Sequence, residues 1–293
     1  MPFIRRARWA CLSLAVSLLC ACQSSKSDEQ ATSAAEKAVA ADPPLSQAEA
    51  LARQFGPIIR GAWVKADYLE AVQRTKSPLR AAGLTGPVSE MLINPARRTA
   101  DSLVTELGLG NHEGGNMTIY FRPGSQSTAL PTNYAHYEAP GSVTELSYRI
   151  GNQDTALVLT SYSQGRKVVA RAVYRRVRGA SLTDLTALNL AVRQLLFAGS
   201  YSGTDSLRRP VSMEFEGNGG VKGLKGFHNY DVGTDFGGGA DLDFISLDAG
   251  TKHQREMAYR FSNDTLRLYA ARWAEAEVPT LVRGRLLFQL RRR

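Results

Sequence analysis

The residues able to do covalent chemistry are few and crowded at one end. Cys11, Cys20 and Cys22 are the chain's three cysteines, all within the first 22 of 293 positions. A thiolate is the strongest nucleophile a side chain offers, so these positions can be acylated, oxidised or paired. Beyond Cys22 no thiol is left to form a disulfide. The four histidines, His112, His136, His228 and His253, lie far apart and lack the His-x-x-x-His spacing or cysteine partners of a zinc site. The stretch from His228 to Asp243 carries Asp231, Asp235, Asp241 and Asp243. It lacks the alternating ligands, glycine and closing glutamate of a calcium loop, and reads as a solvated, glycine-rich connection. There is no Gly-x-Ser-x-Gly elbow and no Gly-x-x-x-x-Gly-Lys-Ser/Thr phosphate loop. The sequence therefore assigns no catalytic residue, no metal and no cofactor, and reads as a non-enzyme.

The cysteines sit in a three-part leader. Arg5, Arg6 and Arg8 form a basic start, and Trp9 to Cys22 is uncharged and apolar. That stretch is shorter than the roughly 20 apolar residues of a spanning helix but matches the core of a cleavable signal peptide. Its end, Leu19-Cys20-Ala21-Cys22, resembles the lipobox of bacterial lipoproteins. The resemblance implies cleavage after Ala21, a lipid-modified Cys22 and attachment to the cell envelope. Two or three acyl chains anchor stably, whereas one is marginal. Residues 23–44 are polar and then alanine-rich, closing on Pro43-Pro44, and read as a tether. An outer membrane placement is expected; Asp28-Glu29 is similar to the surface-export signals of some Gram-negative lipoproteins but is short, so periplasmic and surface faces both stay open.

The whole chain carries a formal net charge of +9. Loss of the leader removes three arginines and no acids, leaving 33 basic and 27 acidic side chains, or +6. This suits solubility or contact with anionic headgroups. The dense basic and aromatic stripe of a nucleic-acid binder is missing.

The remaining body reads as duplicated. Gly61-x-Trp63, Asp67 and Leu69 recur at the same offsets as Gly199-x-Tyr201, Asp205 and Leu207. A helical run precedes each copy, with a capping box at Ser46-Gln-Ala-Glu49 and another at Ser181-Leu-Thr-Asp184. Downstream, Tyr148-Arg-Ile150 and Tyr259-Arg-Phe261 each lead through a turn to an alternating strand and then to a last strand, 168–177 and 281–290. The first copy is longer, with a helical insertion expected around Glu70 to Ala100. Short β runs such as 117–121, 211–215 and 242–247, separated by Gly217-Asn-Gly-Gly220, Gly237-Gly-Gly239 and Ser262-Asn-Asp264, indicate an antiparallel meander. The expected fold is mainly β: two tandem small antiparallel β-barrels, each preceded by a helix. The expected organisation is a signal peptide over 1–21, lipidated cysteine and tether over 22–44, a first barrel over 45–179 and a second over 180–293.

A Gly-x-Trp opening after a helix, strands joined by a glycine-rich turn, an Asp-Thr-Leu-x-Leu strand and a last strand ending in arginine are together similar to the lipocalin-like barrels of bacterial lipoproteins. The resemblance implies that the opening aromatic packs the closed end. An eight-stranded barrel is just wide enough to be filled by side chains or to hold one small ligand. Tyr68, Tyr120, Tyr201 and Tyr230 are the candidate ligand-binding residues, each equally readable as a core plug. Two functions remain. One is an envelope lipoprotein, attached to the membrane through lipid on Cys22, that binds a small apolar or amphipathic ligand. The other is a structural or interaction lipoprotein that meets another envelope protein; neither involves nucleic acid.

Overall fold

A computed structural model describes residues 45–110, 112–151, 154–236, 240–274 and 280–293. The expected signal peptide, Cys22 and the expected tether lie outside the described residues, as do Gly237, Gly238 and Gly239. The body is mainly β, with two eight-stranded antiparallel sheets, each curled into a barrel-like meander. No helix among the described residues is long and apolar enough to cross a membrane.

The first sheet contains β1 (Gly61–Lys65), β2 (Glu90–Ile93), β3 (Ser102–Leu109), β4 (Glu113–Tyr120), β5 (Ala129–Pro131), β6 (Val143–Ile150), β7 (Thr155–Tyr162) and β8 (Val168–Arg176). The second contains β9 (Gly199–Asp205), β10 (Pro210–Phe215), β11 (Val221–Lys222), β12 (Tyr230–Val232), β13 (Phe244–Leu247), β14 (Arg255–Ser262), β15 (Thr265–Ala274) and β16 (Thr280–Arg292). In each, successive strands are neighbours and the last strand returns to pair with the first, β8 with β1 and β16 with β9. The remaining gap is bridged once per sheet, at Ile119↔Thr132 and at Gly220↔Asn229.

A helix enters each barrel just before its first strand: α1 (Gln47–Ile59) and, after α2 (Ala66–Thr75) and α3 (Pro78–Ala81), α4 (Ala187–Leu196). Ser46 caps α1, its hydroxyl accepting the Glu49 N–H at 3.2 Å. The second capping box does not do the same. Helix α4 starts later than that box implies, and its N-cap Thr186 makes no capping bond. The Leu188 N–H is instead accepted by the Glu90 carboxylate, at 2.9 Å and 98 residues away. Glu90 is reachable because it points outward from β2 toward α4. The cap is tertiary, and a local motif could not reveal it.

The closed ends of the two barrels are built alike. Gly61 and Gly199 hold φ of 143° and 145°, a region other residues rarely adopt. Trp63 pairs across the closing strands with Arg176, and Tyr201 with Arg292. Each guanidinium lies over its aromatic ring, 4.6 Å from the Trp63 centroid and 5.5 Å from that of Tyr201. A Cβ on Gly61 would meet Arg176 Nε at 3.2 Å, and one on Gly199 would meet Arg292 Nε at 3.4 Å. The arginines also donate to the ends of the entering helices: Arg176 to Ile58 O at 2.5 Å, and Arg292 to Leu196 O at 3.1 Å. Trp63 Nε1 donates to Ile59 O at 2.8 Å, and the Tyr201 hydroxyl to Leu196 O at 3.4 Å.

The other matched positions diverge. Asp67 and Leu69 lie on α2, whereas Asp205 ends β9 and Leu207 sits exposed in the following turn. The insertion thus begins at Ala66, directly off β1, and ends before Glu90, earlier than the expected span. The Tyr-Arg hairpins match in cross-strand pairing, Tyr148↔Leu157 and Tyr259↔Leu268. Counted from the closing arginine, however, the last ladder is displaced by two residues, because Leu157 faces Tyr174 while Leu266 faces Leu290.

Two cores follow from this plan. The first barrel's interior, with Phe55, Ile59, Trp63, Met91, Leu107, Ile119, Leu157 and Tyr174, forms one cluster. Ala62 and Val64, on the outer face of β1, join α2, α4 and the second barrel's interior in the other. The two barrels therefore share a buried seam, tied also by Leu79 N to Asp243 at 3.0 Å and Asn94 Nδ2 to Leu182 O at 3.0 Å.

Candidate functional site at the mouth of the first barrel

Side chains on a strand alternate faces, so two-residue steps from an inward residue remain inside. From Trp63 the next inward residue is Lys65; from Arg176 on β8 they are Tyr174, Ala172 and Ala170. The two alanines face Leu159 and Ser161 on β7. Small side chains at successive inward positions leave space there, a cavity of about 170 Å³ at the end away from α1. Val88, Leu159, Ala170 and Ala172 supply its apolar wall, and Lys65, Tyr134, His136 and Tyr174 its polar groups.

The polar groups are positioned by the backbone around them. Tyr174 is fully buried, its hydroxyl donating to Val88 O at 3.1 Å, and burial pushes its pKa up. Tyr134 is half-buried, its pKa also raised by desolvation first and by Tyr137 second. Lys65 Nζ donates to Leu84 O at 2.9 Å and lies 3.5 Å from Asp67 Oδ2, which fixes the ammonium and leaves donor capacity. The His136 ring stacks on Tyr137 at 5.7 Å, and its buried Nδ1 has no hydrogen-bond partner. Ser161 and Thr144 share a hydroxyl–hydroxyl bond at 2.8 Å, so Ser161 is not set up as a nucleophile with a base. The walls set the apolar alanines opposite the polar groups of Lys65 and His136. Outside the mouth, Val143, Tyr162 and Val168 form a cross-strand row in which both valines are more than half exposed.

The chain matches no family model and no curated protein.

The four tyrosines singled out from the sequence lie elsewhere. Tyr201 and Tyr230 come together in the second barrel, 5.6 Å and 5.0 Å from Phe215. The Tyr230 hydroxyl donates to Glu216 O at 2.9 Å. Phe197 packs on Tyr230 at 5.6 Å and on Tyr259 at 4.9 Å, so this interior is packed with rings. Tyr68 is buried on α2 in the seam, and burial pushes its phenol up. Tyr120 faces outward from β4, with the Arg122 guanidinium 4.9 Å from its centroid. None of the four lines the mouth of the first barrel. The mouth residues carry one signal that sequence could have offered: alternation of Ala170, Ala172, Tyr174 and Arg176, small residues giving way to large along one face. Tyr134 and His136 come from an irregular segment with no such period. Cys22 lies outside the described residues. Among the described residues, no three His, Cys, Asp or Glu side chains converge as metal ligands.

Proposed function

We propose that this protein is a lipoprotein of the bacterial cell envelope, anchored through Cys22, whose first barrel holds a small amphipathic ligand. The observation that carries the binding half is the alanine-lined cavity at the first barrel's mouth, with Lys65 and His136 beside it. Its volume is below the roughly 300–1,000 Å³ of drug-sized pockets, so the ligand is short, or only its end enters. The lipocalin-like reading is supported by the two Gly-x-aromatic openings, each covered by an arginine from its last strand. The leader and lipobox support the anchor.

A second reading, a structural or interaction lipoprotein meeting another envelope protein, is favoured by the ring-filled interior of the second barrel. The two are separated by titrating the protein with octanoate, a short amphipathic carboxylate, in a calorimeter. Saturable one-to-one heat supports the ligand reading, and its absence favours the interaction reading. The anchor has its own test: Cys22→Ala should release the protein from the membrane fraction. A variant still membrane-bound and uncleaved would refute lipidation.

A further inference from the structure

The helical insertion does more than lengthen the first copy: it forms one wall of a second cleft. Thr75 to Arg80 face the Asp241–Asp243 segment, Ala258 to Phe261 and Arg283 across about 480 Å³. We propose that this seam cleft binds an oxyanion of the phosphate class, held by Arg260 and Arg283 of the second barrel and by Lys76 and Arg80 of the insertion.

Four cationic side chains line the cleft, and among the described residues none of them makes an ion pair within 4.0 Å. Four cations against two carboxylates leave an excess of like charge that repels itself, so the arrangement is relieved by an anion between them. Two carboxylates share the lining and set the limit on that excess. Asp243 accepts Leu79 N at 3.0 Å and the Ser77 hydroxyl; burial raises its pKa, and these bonds and the Arg80 charge partly offset the rise. Asp241 is exposed and subtracts one charge. Arg283 rests on the Tyr269 ring at 5.0 Å, which orients its planar fork. Tyr259 is 6% exposed, and its hydroxyl has no partner, leaving a buried donor in the lining. Guanidinium forks bind phosphate oxygens in pairs, which an ammonium does not do. None of this depends on the mouth of the first barrel.

Two sources share this chemistry, a free phosphate and the headgroup of an anionic lipid, and three probes tell them apart. Inorganic phosphate, glycerol 3-phosphate and glycerophosphoglycerol, a lipid-headgroup diester, are each titrated into the full chain in an uncharged detergent. The expected result is saturable one-to-one binding that weakens at least about tenfold in the Arg260→Ala/Arg283→Ala variant. Arg149→Ala, an exposed arginine on the first barrel, should leave it unchanged. Tighter binding of phosphate and the monoester assigns a free phosphate, and tighter binding of the diester assigns a headgroup. Failure of all three probes to saturate, or equal weakening in the Arg149→Ala control, overturns the proposal.

Discussion

The two barrels agree at one end and part at the other. At the closed end both carry a positive-φ glycine, a buried ring and a last-strand arginine over that ring. Two residues further along the first strand, Lys65 of the first barrel is answered by Gly203, where a Cβ would lie 1.9 Å from Gln289 O. Stepping along the last strand from the arginine, Tyr174 and Ala172 are answered by Leu290 and Phe288. One mouth is hollow and lined with polar groups, while in the other Phe288 packs against the barrel's buried core. The closed end serves the fold in both copies, and the mouth is where one copy keeps an open cavity.

The largest expected effect tests the shared end. Trp63→Ala and Tyr201→Ala should each cost about 3–5 kcal/mol, read from urea unfolding, since both remove a fully enclosed ring. The barrels share a seam core, so either variant should shift a single transition. Two separated transitions would show that the copies unfold alone, and a small cost at Tyr201 would break the likeness of the closed ends.

Next comes the seam itself. Glu90→Ala strands the first N–H groups of α4 and should cost about 1–3 kcal/mol. Burial raises the Glu90 pKa above its ordinary value, partly offset by the helix N–H bonds. The folded chain therefore holds this proton more tightly than the unfolded chain does. The associated stability is present below the unfolded pKa of about 4.3 and declines as pH rises through the folded value. Glu90→Gln cannot titrate, so it should gain on the native protein as pH rises from 4 to 7, tracked by urea midpoints at each pH. A constant difference across that range would contradict a buried, raised carboxyl. Asp243, also raised by burial, leaves a slope of the same sign in both proteins.

Much of this plan was legible in the chain. The helix, Gly-x-aromatic and last-strand arginine recur because each solves the same local problem of closing a barrel, and local problems leave local signatures. The Asp67–Asp205 and Leu69–Leu207 matches misled because letters can align where backbones do not: one pair entered a helix and the other a turn. Glu90 could not be read as a cap for α4, since the pairing depends on how one barrel's wall meets the next helix. A tyrosine's chemistry does not fix its face without strand register, and register places Tyr120 outward and Tyr201 in a packed core. Lys65 and the Ala170–Ala172 gap needed that same register to be seen.

The most direct test of the claim that one barrel is open and the other filled is native mass spectrometry of the protein before and after organic extraction, beside Ala172→Phe. That substitution places in the first barrel the side chain its counterpart carries; overpacking costs typically about 1–3 kcal/mol, like Glu90→Ala and below the ring deletions. The account predicts one extractable small mass per chain in the native protein and none in Ala172→Phe. A mass retained by the variant, or two per chain, would contradict it.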